Sequence, residues 1–276
     1  MFGKLQPMSL NPTSRMAALR EHSRRLCHVG LMAVALSTTV ASAAVQKRAV
    51  AKTPRYAIPD ASKGWPAIAG PAGNVVICLD PGHPSEVSDG TRGKKITEIH
   101  AAWEVALKLR RLLLRDQYRV VMTKSSEMEF VTNRRRADIA NHFHAALMLR
   151  LHCDDGSKSG FGSYYPDRAV TLQGHHGPPA SVLSASRVAA QIIHSSAIDA
   201  LRGLIGNAGL HTDRETFVGH KQGGLTGSVF SNVPTVLVEM AVLGNKHDDD
   251  FISKPEGQEK MAEALERGLL KAVPRQ

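Results

Sequence analysis

In the segment Val75 to His83, VVICLDPGH, an unbroken apolar and β-branched run stops abruptly at Asp80-Pro81-Gly82-His83. A run of this length bounded by Pro and Gly predicts a strand buried on both faces, ending at the crevice where α/β sheets place their chemistry. Proline fixes φ and glycine permits a sharp turn, so the chain can leave the sheet at once and hold His83 over the strand ends. An ordinary strand-exit turn flanked by a histidine would look the same in isolation. A polar, Gly-containing loop from Glu86 to Lys95 then leads into a helix from about Thr97 to Arg115. RVVMT, Arg119 to Thr123, predicts a second strand, and Thr132 caps a helix running to about Phe143. LMLRLH, Leu147 to His152, repeats the opening pattern: an apolar strand delivers an imidazole at its C-terminal end.

Beyond Ser157 the pattern is less regular. Gly160 to Tyr165 adds a strand, Gly174 to Pro179 (GHHGPP) reads as a loop, and Val182 to Leu204 is an amphipathic helix. The glycine-rich stretch Gly219 to Ser228 lacks the Gly-Lys-Ser/Thr ending of a phosphate loop and reads as a mobile loop on the substrate side. Pro234 opens the last strand, TVLVEM, and a helix from Gly257 to Val273 closes the chain with Met261, Leu265 and Leu269 on one face.

Charged residues change this picture where they interrupt apolar faces. In the first helix Glu98 lies on the row Ala102, Val105, Leu109 and Leu112, so it points inward, whereas His100, Glu104, Lys108, Arg111 and Arg115 line the solvated face. An inward carboxylate at a helix start asks for a partner, the alternative being an acid that only sits at the positive end of the helix dipole. Glu239 breaks the apolar strand TVLVEM, and a buried carboxylate is costly unless it is paired, hydrogen-bonded or chemically used. His83, Glu98 and His152 come from three segments that strand-end geometry brings together. Two imidazoles and a carboxylate with an open fourth position form a catalytic Zn²⁺ set. Such an ion acidifies water and polarises a carbonyl, while a nearby carboxylate, here Glu239, shuttles a proton to a leaving amine. Asp154 and Asp155 either support a ligand histidine or solvate the turn, and the bland role suits Asp155. The pair His175-His176 sits in a Pro/Gly loop and is left out of the site.

The chain has 276 residues, 42% of them hydrophobic, enough for one sizeable α/β domain and incompatible with disorder throughout. Residues 1–43 look like a signal peptide: arginines precede the apolar stretch Val29 to Leu36, and Ala41-Ser42-Ala43 offers a cleavage site. Ser23-Arg24-Arg25-Leu26 partly resembles a twin-arginine signal, against which Cys27 and His28 count. No segment reaches the roughly 20 apolar residues of a spanning helix. Residues 44–73 read as a linker whose end can lie against the domain, leaving 74–276 as the catalytic domain. Removing the leader takes five of 35 basic and one of 25 acidic side chains and leaves a net charge of +6, which suits work beside an anionic polymer. Nucleic acid is not an expected partner. Cys78 and Cys153 are too few for a disulfide scaffold; buried thiols are expected, with one bridge open to them in an oxidising compartment.

At these residues the sequence resembles the zinc-dependent N-acetylmuramoyl-L-alanine amidases of bacterial cell-wall turnover, over about Val75 to Val273. Asp80-Pro81-Gly82-His83 is similar to the first ligand motif, Glu98 to the ligand glutamate, and Arg136, Ala140 and Asn141 to the helix before the third ligand strand ending in His152. VPTVLVEMAVLGN resembles the strand that carries the catalytic glutamate, which falls on Glu239. Pro84 and Ser85 stand where the family has more glycine, and Cys153 follows the second histidine. The resemblance implies a single α/β domain with a twisted, mixed, mostly parallel sheet and helices on both faces. It also implies a Zn²⁺ cofactor and cleavage of the amide between N-acetylmuramic acid and L-alanine in peptidoglycan. The leader predicts export and a monomer is expected. Some family members carry a helix that plugs the metal before the last strand, but here the helix from Val182 and the loop to Ser231 almost fill that interval, so no plug is expected. Whether an activator protein is needed stays open. The other readings are a zinc peptidase or amidase for another amide, and an idle peptidoglycan-binding module. N-terminal sequencing of exported material should find a mature start near Ala44; a start at Met1 or Met16 contradicts the leader.

Overall fold

The computed structural model describes residues 64–275. The expected leader, residues 44–63 of the expected linker and Gln276 lie outside the described residues. In chain order the strands are β1 (Ile68–Ala69), β2 (Val76–Pro81), β3 (Arg119–Met122), β4 (Leu147–Asp154), β5 (Phe161–Tyr165), β6 (Val170–Leu172), β7 (His175–Gly177), β8 (Asn207–Thr212) and β9 (Thr235–Val242). The helices are α1 (Glu98–Arg115), α2 (Asn133–His142), α3 (Ala180–Ala200), α4 (Phe217–Gln222), α5 (Thr226–Val229), α6 (Lys246–Ile252) and α7 (Pro255–Ala272). Seven strands form one mixed sheet in the order β1-β3-β2-β4-β9-β5-β8. β3, β2, β4 and β9 are mutually parallel, as are β5 and β8, while β5 is antiparallel to β9 and β1 to β3.

Period-two alternation sorts each central strand between two cores. In β4, Leu147, Leu149, Leu151 and Cys153 join the core under α1, α3 and α7, whereas Met148 joins Cys78, Val121, Ile139 and Ala140 beneath α2. Each buried leucine contributes about 2 kcal/mol, and a one-residue slip would exchange the faces, so burial fixes the register. Arg150 and His152 therefore fall on the α2 side. In β9 the same alternation sends Val236, Val238 and Met240 into the larger core and turns Glu239 the other way.

α1 and α2 begin where the caps predict. The Thr97 side chain accepts from the His100 N–H and the Thr132 side chain from the Arg135 N–H. Glu98 is 3% exposed and the inward row is buried with it.

Several elements differ from the expectations. The sheet starts before residue 74, because Ile68–Ala69 pairs with Val120 and Val121, and Trp65 stacks on His142 at 3.9 Å. GHHGPP is not a plain loop: His175–Gly177 pairs with Val170–Leu172 through a two-residue turn, Gln173 and Gly174, both at positive φ. Three-residue strands are too short to show a period. Gly219 to Ser228 is not a loop but most of α4 and α5, with Gly223 closing α4 in the left-handed region. β8 and α6 carry no apolar run; β8 is a partly exposed strand, and α6 (KHDDDFI) is polar and begins at Asn245, whose side chain accepts from His247 and Asp248. No helix among the described residues is long and apolar enough to cross a membrane. Cys78 and Cys153 are free, buried thiols.

Candidate active site

Strand order reverses about β2: the chain crosses from β2 to β3 on one side, then back to β4 on the other. Open α/β sheets place ligands at such a switch point, outside the carboxyl ends of the strands. Here those ends carry His83 and His152, and α1 brings Glu98 over them. Glu98 Oε1 lies 2.8 Å from His152 Nδ1 and 3.3 Å from His83 Nε2, and it accepts from the Cys153 N–H at 3.2 Å. Its other oxygen accepts from the Thr91 N–H at 2.8 Å. His83 Nδ1 is held by the Ser88 carbonyl at 2.9 Å, which turns Nε2 into the site. One donor atom from each of the three residues lies within 4.8 Å of the others. Close approach needs glycine: a Cβ at Gly82 would sit 2.5 Å from the His152 ring.

Burial by itself would raise the Glu98 carboxyl, but hydrogen bonds and charge from His152 and His83 outweigh it and hold Glu98 ionised, well below the usual carboxylate range. Burial pushes His152 down to about 4 despite Glu98, so its imidazole is neutral at pH 7. A neutral His152 and an ionised Glu98 are in the protonation states that ligate a divalent ion. The buried His152 Nε2 has no hydrogen-bond partner, an open donor that fits such an ion.

Glu239 pairs with His152 across β4 and β9 and with Gly162 across β9 and β5. Burial pushes its pKa well above the usual value, and the charges of Glu98 and Asp154 push it further, against the lowering effect of Arg150. Its Oε2 is buried without a partner. His83, His152 and Glu239 line one cleft of about 280 Å³. A larger cavity of about 540 Å³ beside Trp65 contains none of these residues. Glu104 takes a surface pairing with Lys108 at 3.0 Å, away from the site.

The chain from residue 77 to residue 271 matches the family model described as N-acetylmuramoyl-L-alanine amidase. It belongs to that family. An N-acetylmuramoyl-L-alanine amidase of Mycobacterium tuberculosis is 26% identical over 216 residues, covering 71% of this chain and 85% of the relative. A germination-specific N-acetylmuramoyl-L-alanine amidase of Bacillus subtilis is 25% identical over 225 residues, 75% and 83% of the two chains. Among solved structures, an N-acetylmuramyl-L-alanine amidase from Mycobacterium smegmatis shares the fold, with a TM-score of 0.61, 21% identity, and coverage of 74% of this chain and 98% of that one. The protein is thus a hydrolase of the peptidoglycan amide bond, as the motifs implied.

In this amidase the first motif rests on a buried ion cluster in which Asp80 and Arg136 of the motifs meet Arg150. Asp80, fully buried, accepts from Arg136 at 2.6 Å, Arg150 at 2.8 Å and the Thr123 hydroxyl at 2.6 Å. Arg136 also donates to the carbonyls of Pro81 and Pro84, and Lys124 to those of His83 and Glu127, so the turn holding His83 is tied down by cations. This brace matters because His83 has φ 52°, a left-handed backbone that costs a non-glycine residue roughly 1 kcal/mol. Pro84, which replaces the expected glycine, thus anchors the rim through its carbonyl. Arg150 interrupts LMLRLH as Glu239 interrupts TVLVEM, so the same sequence cue marked it. Cys153 sends its thiol into the core, where burial raises its pKa; only its N–H serves the site. Neither Asp154 nor Asp155 is bonded to His152; Asp154 lines the cleft.

Burial would raise the Asp80 pKa, but the two guanidiniums outweigh it and hold the carboxyl far below its ordinary value. A depressed folded-state pKa contributes stability above the unfolded pKa of about 3.9 and loses it as pH falls below that value. Asp80→Asn should therefore destabilise by about 3–5 kcal/mol at pH 7 and flatten the loss of stability on acidification. Urea denaturation at pH 7 and pH 3.5 checks both; a wild-type midpoint at pH 7 contradicts the brace.

Proposed function

We propose that the amidase works through a zinc ion held by His83, Glu98 and His152, with Glu239 as the general base and then the general acid. The observation that carries this reading is the convergence of one donor atom from each of three separate elements within 4.8 Å. Beside it stands a carboxylate with a raised pKa and a free oxygen. Zinc bound there supplies Lewis acidity toward the amide carbonyl and toward water.

The remaining work falls to the protein. Glu98 stays ionised between the two imidazoles, and the Ser88 carbonyl fixes the ring of His83. Glu239 takes a proton from the attacking water as its oxygen bonds the carbonyl carbon of the lactyl group. The same carboxyl then gives that proton to the alanine nitrogen as the C–N bond breaks. Burial and the charges of Glu98 and Asp154 raise its pKa, which makes the ionised carboxylate a stronger proton acceptor. Arg150, next to both Asp80 and the cleft, limits how far the Glu239 pKa rises.

His83→Ala, Glu98→Ala and His152→Ala should each lose most bound zinc, since two protein ligands do not hold the ion of a three-ligand site. Glu104→Ala should keep it. Metal analysis of the purified proteins decides, and zinc retained by Glu98→Ala but lost by Glu104→Ala would reverse the assignment.

Glu239→Gln keeps shape and removes the base, so zinc content and Tm should stay near wild type while hydrolysis falls by ~10²-fold or more. The assay is release of L-alanine-headed peptides from purified sacculi, beside a pull-down on the same sacculi. Release at the wild-type rate removes the shuttle role. Zinc-loaded wild type that binds sacculi and releases nothing supports an idle binding module instead.

A further inference from the structure

Two of the most exposed large apolar side chains among the described residues, Phe217 (75%) and Val87 (50%), line the cleft that holds His152 and Glu239. Single exposed apolar residues are ordinary on a protein surface. Two at one catalytic cleft, one of them an aromatic three-quarters in water, are a different observation.

Phe217 is also held in place by the segment that carries it. The Thr212 and Glu215 side chains cap the short 3-10 helix Asp213–Glu215, and Arg214 grips Asp167 through Nε and Nη2. The Thr216 hydroxyl donates to the Asp213 carbonyl at 2.7 Å and accepts from the Gly219 N–H at 3.0 Å, starting α4 at Phe217. A Cβ at Gly219 would collide with the Asp213 carbonyl, so glycine is required for this tight turn. Lys221 Nζ lies 3.8 Å from the ring centroid and orients one face of the ring. The chain thus uses a set of bonds to hold an apolar ring in water, beside the reacting groups.

We propose that Phe217, with Val87, forms the saccharide-binding rim of the cleft, a reading that rests on the proposed function above. The amide has a sugar on its acyl side and a peptide on its amine side. The peptide is polar and charged and has no use for an apolar ring. The sugar offers polarised C–H faces and an N-acetyl methyl, which pack on the electron-rich face of an aromatic ring. A rim fixed before binding loses little freedom when the sugar arrives.

The test compares N-acetylmuramoyl-tripeptide with lactoyl-tripeptide, which keeps the scissile amide and lacks the sugar. In Phe217→Ala the ratio of kcat/KM between the muramoyl and the lactoyl substrate should fall about tenfold, the change lying in KM, and Phe217→Trp should regain it. Val87→Ala should move the ratio in the same direction. Zinc content and Tm are measured on each variant. An unchanged ratio in Phe217→Ala overturns the proposal, as does an equal loss on both substrates. A change of sedimentation in Phe217→Ala with the ratio intact would make the rim a protein contact, and overturns it too. Zinc-loaded wild type that cleaves neither substrate removes the proposed function and this inference together, whereas cleavage of both with no effect of Phe217→Ala removes the inference alone.

Discussion

One buried carboxylate, Asp80, ties together the three elements on which the site depends. It sits at the end of β2 between Arg136 of α2 and Arg150 of β4, with both guanidiniums within 2.8 Å. Such a cluster is a weak source of net stability, because desolvating the ions offsets their attraction, yet removing one member leaves uncompensated charge in the core. What it contributes is position. The same guanidiniums reach the carbonyls of Pro81 and Pro84 and the side chain of Asn133, so β2, its exit turn and the start of α2 are held in one arrangement. Lys124, which burial pushes down to about 7, completes the set by donating to the carbonyls of His83 and Glu127.

On that frame, two carboxylates a few residues apart in space are driven in opposite directions. Glu98 gathers hydrogen bonds from two imidazoles and backbone N–H groups and stays charged; Glu239 is buried with little to offset the charge of Glu98 and Asp154, and its pKa rises. Acids and bases in one cleft acquire separate roles when their surroundings push their pKa values apart. The neutral His152 belongs to the same pattern, since burial there outweighs the nearby negative charge.

The sheet topology places these groups where they meet. Because strand order reverses about β2, the ends of β2 and β4 face a crevice that no crossover covers. β9 then sets Glu239 beside His152 through register alone. Another part of the cleft wall comes from the segment between β8 and α5, whose bonds are mostly local and whose one unusual product is the exposed ring of Phe217.

The sequence by itself determined the central strands, α1, α2 and α7, the inward direction of Glu98 and the interruption at Glu239. Each of these follows from a periodicity or a cap that operates within a few residues. The ordered motifs that run from Asp80 to Asn245 made the family legible for the same reason. Only the tertiary structure decided what those local patterns face. The β1 edge strand, the β6–β7 hairpin, β8 and α6 are short or polar, so neighbours and turns stabilise them rather than any apolar run. Arg150 interrupts an apolar strand and so carries a local cue, whereas nothing local marks Lys124; in both cases only packing shows that the partners are Asp80 and the turn. The meeting of His83, Glu98 and His152 is likewise a product of strand order, because residues separated by up to 69 positions converge only when the sheet sets their elements side by side.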